Sequence, residues 1–315
     1  MIRYITSGNS EHGRTKAAIN QMKLFLVSLA LATAISTHAA HPFLCCDSVG
    51  NKVCVVSAEG KIEWEYPAVH PQDCWRLPNG NYLFCFKTGA LELKPDKTKV
   101  WEYKAPEKTE VHACQPLSKG RVLLAETGTA RIIEVDREGR IAKEVKLFPG
   151  PKVGTHDQFR GTRKMGNGHY LVCFKGDHKV VEVDGDGKVL REIPVDGDVH
   201  EVIPLPKGHL LLSCGEGRKV IEIDGAGKTV WELNQNDLPG NPLQLTVGCQ
   251  VLPNGNLVIC NYLGHGHLGS QPQFVEITRE KKVVWEFADH QNFKSINQIQ
   301  LLDVKGDVTK GDILR

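Results

Sequence analysis

Beyond residue 40 the chain repeats one pattern of apolar and polar positions. Segments 74–86 (CWRLPNGNYLFCF), 114–126 (CQPLSKGRVLLAE), 162–174 (TRKMGNGHYLVCF), 202–214 (VIPLPKGHLLLSC) and 249–261 (CQVLPNGNLVICN) each read as strand, Asn-Gly or Lys-Gly turn, strand. Short apolar runs joined by such pairs predict β-hairpins, because Asn and Gly tolerate the positive φ of a tight turn. A second hairpin follows each one, as in ALELKPDKTKVWEY, RIIEVDREGRIAKEV, KVVEVDGDGKVLREI, KVIEIDGAGKTVWEL and QFVEITREKKVVWEF. Alternating apolar residues there flank an Asp, Gly or Lys turn.

Four strands thus recur at a period of roughly 40–48 residues, the size of a propeller blade. The ends complete the count. PFLCCDSVGNKVCVVSAEGKIEWEY supplies three strands with no innermost strand ahead of them, and SINQIQLLDV (295–304) supplies one innermost strand with nothing after it. The expected fold is an all-β, six-bladed β-propeller over residues 40–304. Its ring closes by pairing the N-terminal strands with the C-terminal one, which removes the open sheet edge. The polar stretch 305–315 (KGDVTKGDILR) is expected to fray.

The repeat absorbs several tempting residues. Glu65, Glu102, Glu144, Glu192, Glu232 and Glu286 share one outer-strand position, usually beside a Trp, and are expected to be blade structure rather than acid catalysts. Cys46, Cys85, Cys173 and Cys260 share a second-strand position with Ala125 and Ser213, which asks for a small buried side chain. A two-residue turn centred on Asn79-Gly80 would set Cys74 opposite Cys85, and one on Asn254-Gly255 would set Cys249 opposite Cys260. Both pairs would then be within disulfide reach, with free packed thiols as the competing expectation.

Candidate chemistry gathers at one end of the expected channel. In a propeller the loops leading into the innermost strands, and those joining the second and third strands, open on a common face. His70, His112, His156, His200 and His290 fall on the former, and His178, His265 and His267 on the latter. Counting eight residues back from each first-hairpin glycine gives Gln72, His112, Arg160, His200 and Val247, with Asn297 as the looser sixth match. These six predict a ring at the channel mouth, with His156 one step further out. Asp73 and Glu201 adjoin the ring, but strand alternation directs them elsewhere. The long loop NYLGHGHLGSQ carries His265 and His267 as ligand-binding candidates. A His-x-His without carboxylate or Cys partners gives no reason to expect a metal.

Composition narrows the partners. With 39 basic and 37 acidic residues, a net charge of +2 offers no footprint for nucleic acid or an anionic membrane. The stretch MKLFLVSLALATAISTHAA (22–40) has a Lys, an apolar run from Leu24 to Ile35, and Thr37 and Ala39 at the −3 and −1 positions of a cleavage site. Residues 1–39 therefore read as a signal peptide with an upstream extension, Met22 being the expected start. The apolar run is too short to span a membrane. The mature chain is expected in a secreted or periplasmic setting, as a monomer.

IDGAGKTVWEL, SAEGKIEWEY and VLPNGNLVI resemble the repeats of PQQ-like, quinoprotein-dehydrogenase-type propellers. VHEVIPLPKGHLLL and THDQFRGTRKMGNGHYLV are similar to the histidine-led blades of bacterial arylsulfotransferases. PQQ dehydrogenases are typically eight-bladed, so a six-bladed chain is expected to bind no PQQ, and no other cofactor is implied. The arylsulfotransferase resemblance implies a channel histidine as nucleophile, from among His112, His156 and His200, with Arg160 stabilising charge. Two functions follow as expectations. One is binding of a small polar or anionic ligand, or of a protein partner, on the histidine-rich face; the other is group transfer or hydrolysis by channel histidines.

Overall fold

The structure, a computed structural model, describes residues 41–313 and 315. The leader reading, with its cleavage site and Met22, lies outside the described residues. Six four-stranded antiparallel sheets form a ring, and we number them blades 1–6 from the N-terminus. Their innermost strands are Ile296–Leu301, Asp73–Arg76, Glu110–Pro116, Thr162–Lys164, Glu201–Pro204 and Thr246–Val251, each packed against the next around the axis. This is the six-bladed β-propeller that the repeat predicts.

Closure occurs in blade 1, where Phe43–Asp47 pairs antiparallel with Ile296–Leu301. The Asp47 carboxylate fixes the seam by accepting the backbone N–H groups of Lys294 and Ser295, both at 2.9 Å. His41 bridges the same seam, with Nδ1 2.6 Å from Asp303 and Nε2 3.1 Å from Glu276 of blade 6. Sequence ends that lie some 250 residues apart are thereby held as one sheet.

The core is not one cluster but six apolar layers, each shared by two neighbouring blades. A sheet sandwiched on both faces needs apolar residues on both, which is why the inner strands are buried at nearly every position instead of alternating. Outer strands do alternate. Trp101 and Trp231 turn inward, and each indole N–H donates to a carbonyl of the next blade, Asp136 at 2.9 Å and Arg279 at 2.8 Å. Glutamates of the shared outer-strand position pair with cations, as Glu102 does with Lys99 and Glu144 with Arg131.

The hairpin turns differ from expectation by one residue. Leu77 donates its N–H to the Asn81 carbonyl at 2.8 Å, so three residues, not two, cross over, and Gly80 takes φ +88°. The closing pairs Leu117–Arg121, Met165–His169, Leu205–His209 and Leu252–Asn256 repeat this geometry. Because side chains alternate faces, a one-residue change of register separates residues that a two-residue turn would oppose. Cys74 therefore faces Phe84, and Cys85 faces Asp73; Cys249 faces Ile259. Cys74 packs toward blade 1 while Cys85 packs toward blade 3, and Cys249 and Cys260 likewise enter different layers. The expected Cys74–Cys85 and Cys249–Cys260 bridges are corrected accordingly: all ten cysteines are free and buried.

A second correction concerns residues 305–315. Instead of fraying, Val308–Lys310 form a short turn capped by the Asp307 carboxylate, and Arg315 lies beneath the channel with its side chain fully buried. Its guanidinium lies 3.9 Å from the centre of the Trp75 ring and donates to the Asp73 carboxylate at 2.8 Å and to the Cys74 carbonyl. Arg163 reaches the other oxygen of Asp73 at 3.0 Å and Glu201 at 3.1 Å, and Gln298 donates to Glu201 at 2.8 Å. Strands of blades 1, 2, 4 and 5 thus meet at the axis in one buried, charge-balanced network.

Two outcomes are expected from this packing. Alkylation of the unfolded, unreduced protein adds ten carbamidomethyl groups by intact mass, and fewer would mean a bond has formed. Arg315→Ala strips a buried carboxylate of one counter-ion and should cost about 3–5 kcal/mol in urea unfolding, whereas a loss below about 1 kcal/mol would mean the network does not need it.

Candidate functional site

The charged network is the floor of a cavity of about 320 Å³ that opens at one end of the channel. All six ring positions line it: Gln72, His112, Arg160, His200, Val247 and Asn297. His70, His156 and His265 also contribute to its wall, whereas His267 lies outside it, half-buried in its loop. Asp73 and Glu201 line it too, against the alternation argument. Gln72 and His200 precede their strands, and His112 and Val247 sit where the strand register shifts, so strict alternation does not run through the mouth.

Two carboxylates that the sequence reading passed over organise the histidines. Each lies two residues before a ring histidine, in Glu110-Val-His112 and Asp198-Val-His200, a spacing that was legible in the chain. Glu110 accepts from His112 Nε2 at 2.9 Å and from His156 Nδ1 at 2.8 Å, and Lys87 lies 3.3 Å from its other oxygen. These imidazoles hold the Glu110 carboxyl well below the usual range. Arg160 donates to His112 Nδ1 at 2.8 Å. Because a guanidinium only donates, Nδ1 carries the lone pair and Nε2 carries the hydrogen. His112 is therefore neutral and wired at both nitrogens; burial first, and then the neighbouring Arg160 charge, push its pKa down to about 3.

The ligand atoms of Glu110, His112 and His156 lie within 4.8 Å of one another, a spacing suited to a metal. The surroundings do not fit one. A metal-binding imidazole gives its second N–H to an acceptor, but here that nitrogen faces the Arg160 donor, and Nε2 is protonated toward Glu110. The trio is a hydrogen-bond relay.

Arg160 is the cation the relay leaves over. Nη1 is spent on His112 and on the carbonyls of His156 and Phe159, while Nη2 has its nearest carboxylate, Asp157, at 3.8 Å, beyond hydrogen-bonding distance. Asp157 is instead taken by Lys175 at 2.7 Å. Burial lowers the pKa of Arg160 to about 10, so the group stays charged at neutral pH. On the far side of Arg160, the Asp198 carboxylate accepts from His200 Nε2 at 2.9 Å and from the Glu216 N–H at 2.8 Å. Burial opposes the charge on Asp198, but these donors outweigh it and bring the pKa down to about 2. His265 pairs with Glu216 at 2.9 Å on the exposed rim.

The fold and this site define a class: a six-bladed propeller with a blind, histidine- and arginine-lined cup at the mouth of its channel. Residues 55–252 match the family model of Mal s 1 allergenic protein-like proteins, and the chain belongs to that family. No curated protein matches the chain. Among solved structures, a protein of unknown function from Bacteroides caccae is 29% identical, with a TM-score of 0.76 over 82% of this chain and 98% of that one. A streptogramin B lyase is 14% identical, with a TM-score of 0.56 over 82% and 87% of the two chains. A catalytically inactive virginiamycin B lyase from Staphylococcus aureus, solved with Quinupristin, is 18% identical, with a TM-score of 0.51 over 70% of each chain. The likeness to the two lyases is one of fold.

The His112 wiring has a pH signature. With its folded pKa below its unfolded value of about 6.5, the unfolded chain takes up the proton first, so this stabilisation is full above pH 6.5 and is lost as pH falls toward 3. His112→Gln should flatten the pH dependence of urea-unfolding stability between pH 6 and 4 by up to about 1.4 kcal/mol per pH unit. An unchanged slope would contradict a buried neutral His112.

Proposed function

We propose that this protein is an exported propeller that binds a small anion, in the first instance a carboxylate, in the channel-mouth cup. One observation carries the reading: Arg160 is buried, charged and without a hydrogen-bonded carboxylate, while every acidic side chain near it already has a donor. A buried charge is normally paired, and the free Nη2 edge supplies the geometry that a carboxylate or sulfate oxygen uses. Gln72, Asn297 and the open nitrogen of His156 add polar contacts around the cup. A cavity of about 320 Å³ suits a ligand at the small end of the usual range.

Export rests on the leader at residues 22–39. The likeness of VHEVIPLPKGHLLL to arylsulfotransferase blades makes an aryl sulfate the second anion to examine.

Isothermal titration with butyrate, benzoate and 4-nitrophenyl sulfate tests the reading. At least one should bind, and Arg160→Gln should weaken it by about 10- to 100-fold, the worth of a charge-assisted hydrogen bond at 1.5–3 kcal/mol. Arg160→Lys should recover only part of the loss. Equal affinity in wild type and Arg160→Gln would sink the proposal.

A further inference from the structure

Of the five histidines that line the cup, His70 and His265 are exposed, and wiring separates the other three. His112 has both ring nitrogens engaged, by Glu110 and Arg160. His156 is held at Nδ1 by Glu110 but is mostly exposed. His200 alone is both enclosed, at 11% side-chain exposure, and free at one nitrogen. Asp198 stays ionised and accepts through Nε2, which fixes the hydrogen there and leaves the lone pair on Nδ1. Nδ1 makes no hydrogen bond among the described residues, and the ring forms part of the cavity wall.

The backbone is shaped around this pair. A Cβ at Gly215 would stand 2.4 Å from His200 Cδ2 and 2.5 Å from each Asp198 oxygen, and φ +31° there also disfavours a side chain. Asp198 is further tied by the Glu216 N–H, with Lys175 at 4.0 Å. Arg160 stands at the same ring level in the segment leading into the adjacent innermost strand, where the Gly161 N–H donates to the His200 carbonyl at 2.8 Å. A neutral imidazole with a free lone pair, an orienting carboxylate and a neighbouring guanidinium are the parts of a general-base site. Among the described residues no Ser, Thr or Cys side chain is hydrogen-bonded to His200, so the group it would activate is water.

We infer that His200, positioned by Asp198, is the general base for hydrolysis of a small carboxylic ester or lactone, whose carboxylate product is the anion held at Arg160. This rests on the anion-binding reading above. His200 Nδ1 takes a proton from water as the water oxygen bonds to the acyl carbon. The carbonyl π pair moves onto oxygen, facing the Arg160 guanidinium. That pair then re-forms the double bond, the acyl C–O bond breaks, and the departing alkoxide takes the proton back from His200. The products are a carboxylic acid, ionised at neutral pH, and an alcohol. No oxidant, metal or cofactor enters the balance.

The test uses the mature protein with δ-valerolactone and phenyl acetate, followed by alkali uptake, with titration of butyrate in parallel. At least one ester should show saturable hydrolysis. His200→Gln keeps an N–H donor for Asp198, so it should fold and bind butyrate within about twofold of wild type, yet lose about 10²- to 10⁴-fold in kcat. Asp198→Asn should lower kcat less and displace the acid limb of the pH–rate profile, which a purely structural role would not do. Diethyl pyrocarbonate should acylate His200 faster than His178, with butyrate protecting it. Butyrate binding without turnover of either ester, or turnover unchanged in His200→Gln, overturns the base and leaves the anion site standing. Absence of binding by butyrate, benzoate and 4-nitrophenyl sulfate alike overturns both.

Discussion

Arg163 holds the ring at its centre. Its guanidinium spans Asp73 on blade 2 and Glu201 on blade 5, which face each other across the axis, and Gln298 and Arg315 complete the contacts from blade 1 and from below. Six sheets packed through six separate apolar layers have no common core, so the hydrophobic effect joins neighbours without joining opposites. A buried ion network does reach across. Its cost in desolvation is met in part because both carboxylates are paired with both guanidiniums, although Nε of Arg163 and of Arg315 is buried without a hydrogen-bond partner, and specificity of arrangement is the better-supported gain. Burial raises the pKa of Glu201 and works against its charge; Arg163 is the cation that opposes this most directly.

That network is also what gives the site its floor. Gln72, His200 and their counterparts belong to loops and strand starts, but they hang from innermost strands that the floor fixes in relative height. Within this frame the histidines have unequal tasks. Glu110 and Arg160 consume His112, and the same arrangement leaves Arg160 with an unused edge; Asp198 holds the His200 hydrogen on Nε2 and leaves the lone pair on Nδ1. An Arg and a His of opposite hydrogen-bonding character then share one wall.

The blades were legible because period-two alternation and Gly-containing turns recur, and a fault in one repeat is outvoted by the others. The ring was legible for the same reason: counting from the turn glycine finds equivalent positions without knowing the strands. The cysteine pairing was not, because a two-residue and a three-residue turn share the same Asn-Gly text and differ only in where the closing hydrogen bond falls. Asp73 and Glu201 were misdirected by applying alternation where strands have not yet begun. Glu110 and Asp198 were readable as E-x-H and D-x-H, yet nothing local says that such a carboxylate will turn toward its histidine. Arg315 was beyond reach, since a polar tail and a plug have the same composition.

Among the described residues, the plug at Arg315 and the charged floor make the channel a cup with a single door. Whatever enters over the rim must leave by the same route, so a ligand and its successor cannot follow one another through the protein. Occupancy becomes a matter of exchange at one opening, and a tightly held anion would hold the door against the next arrival. The rate at which the rim clears then sets the pace of the whole site.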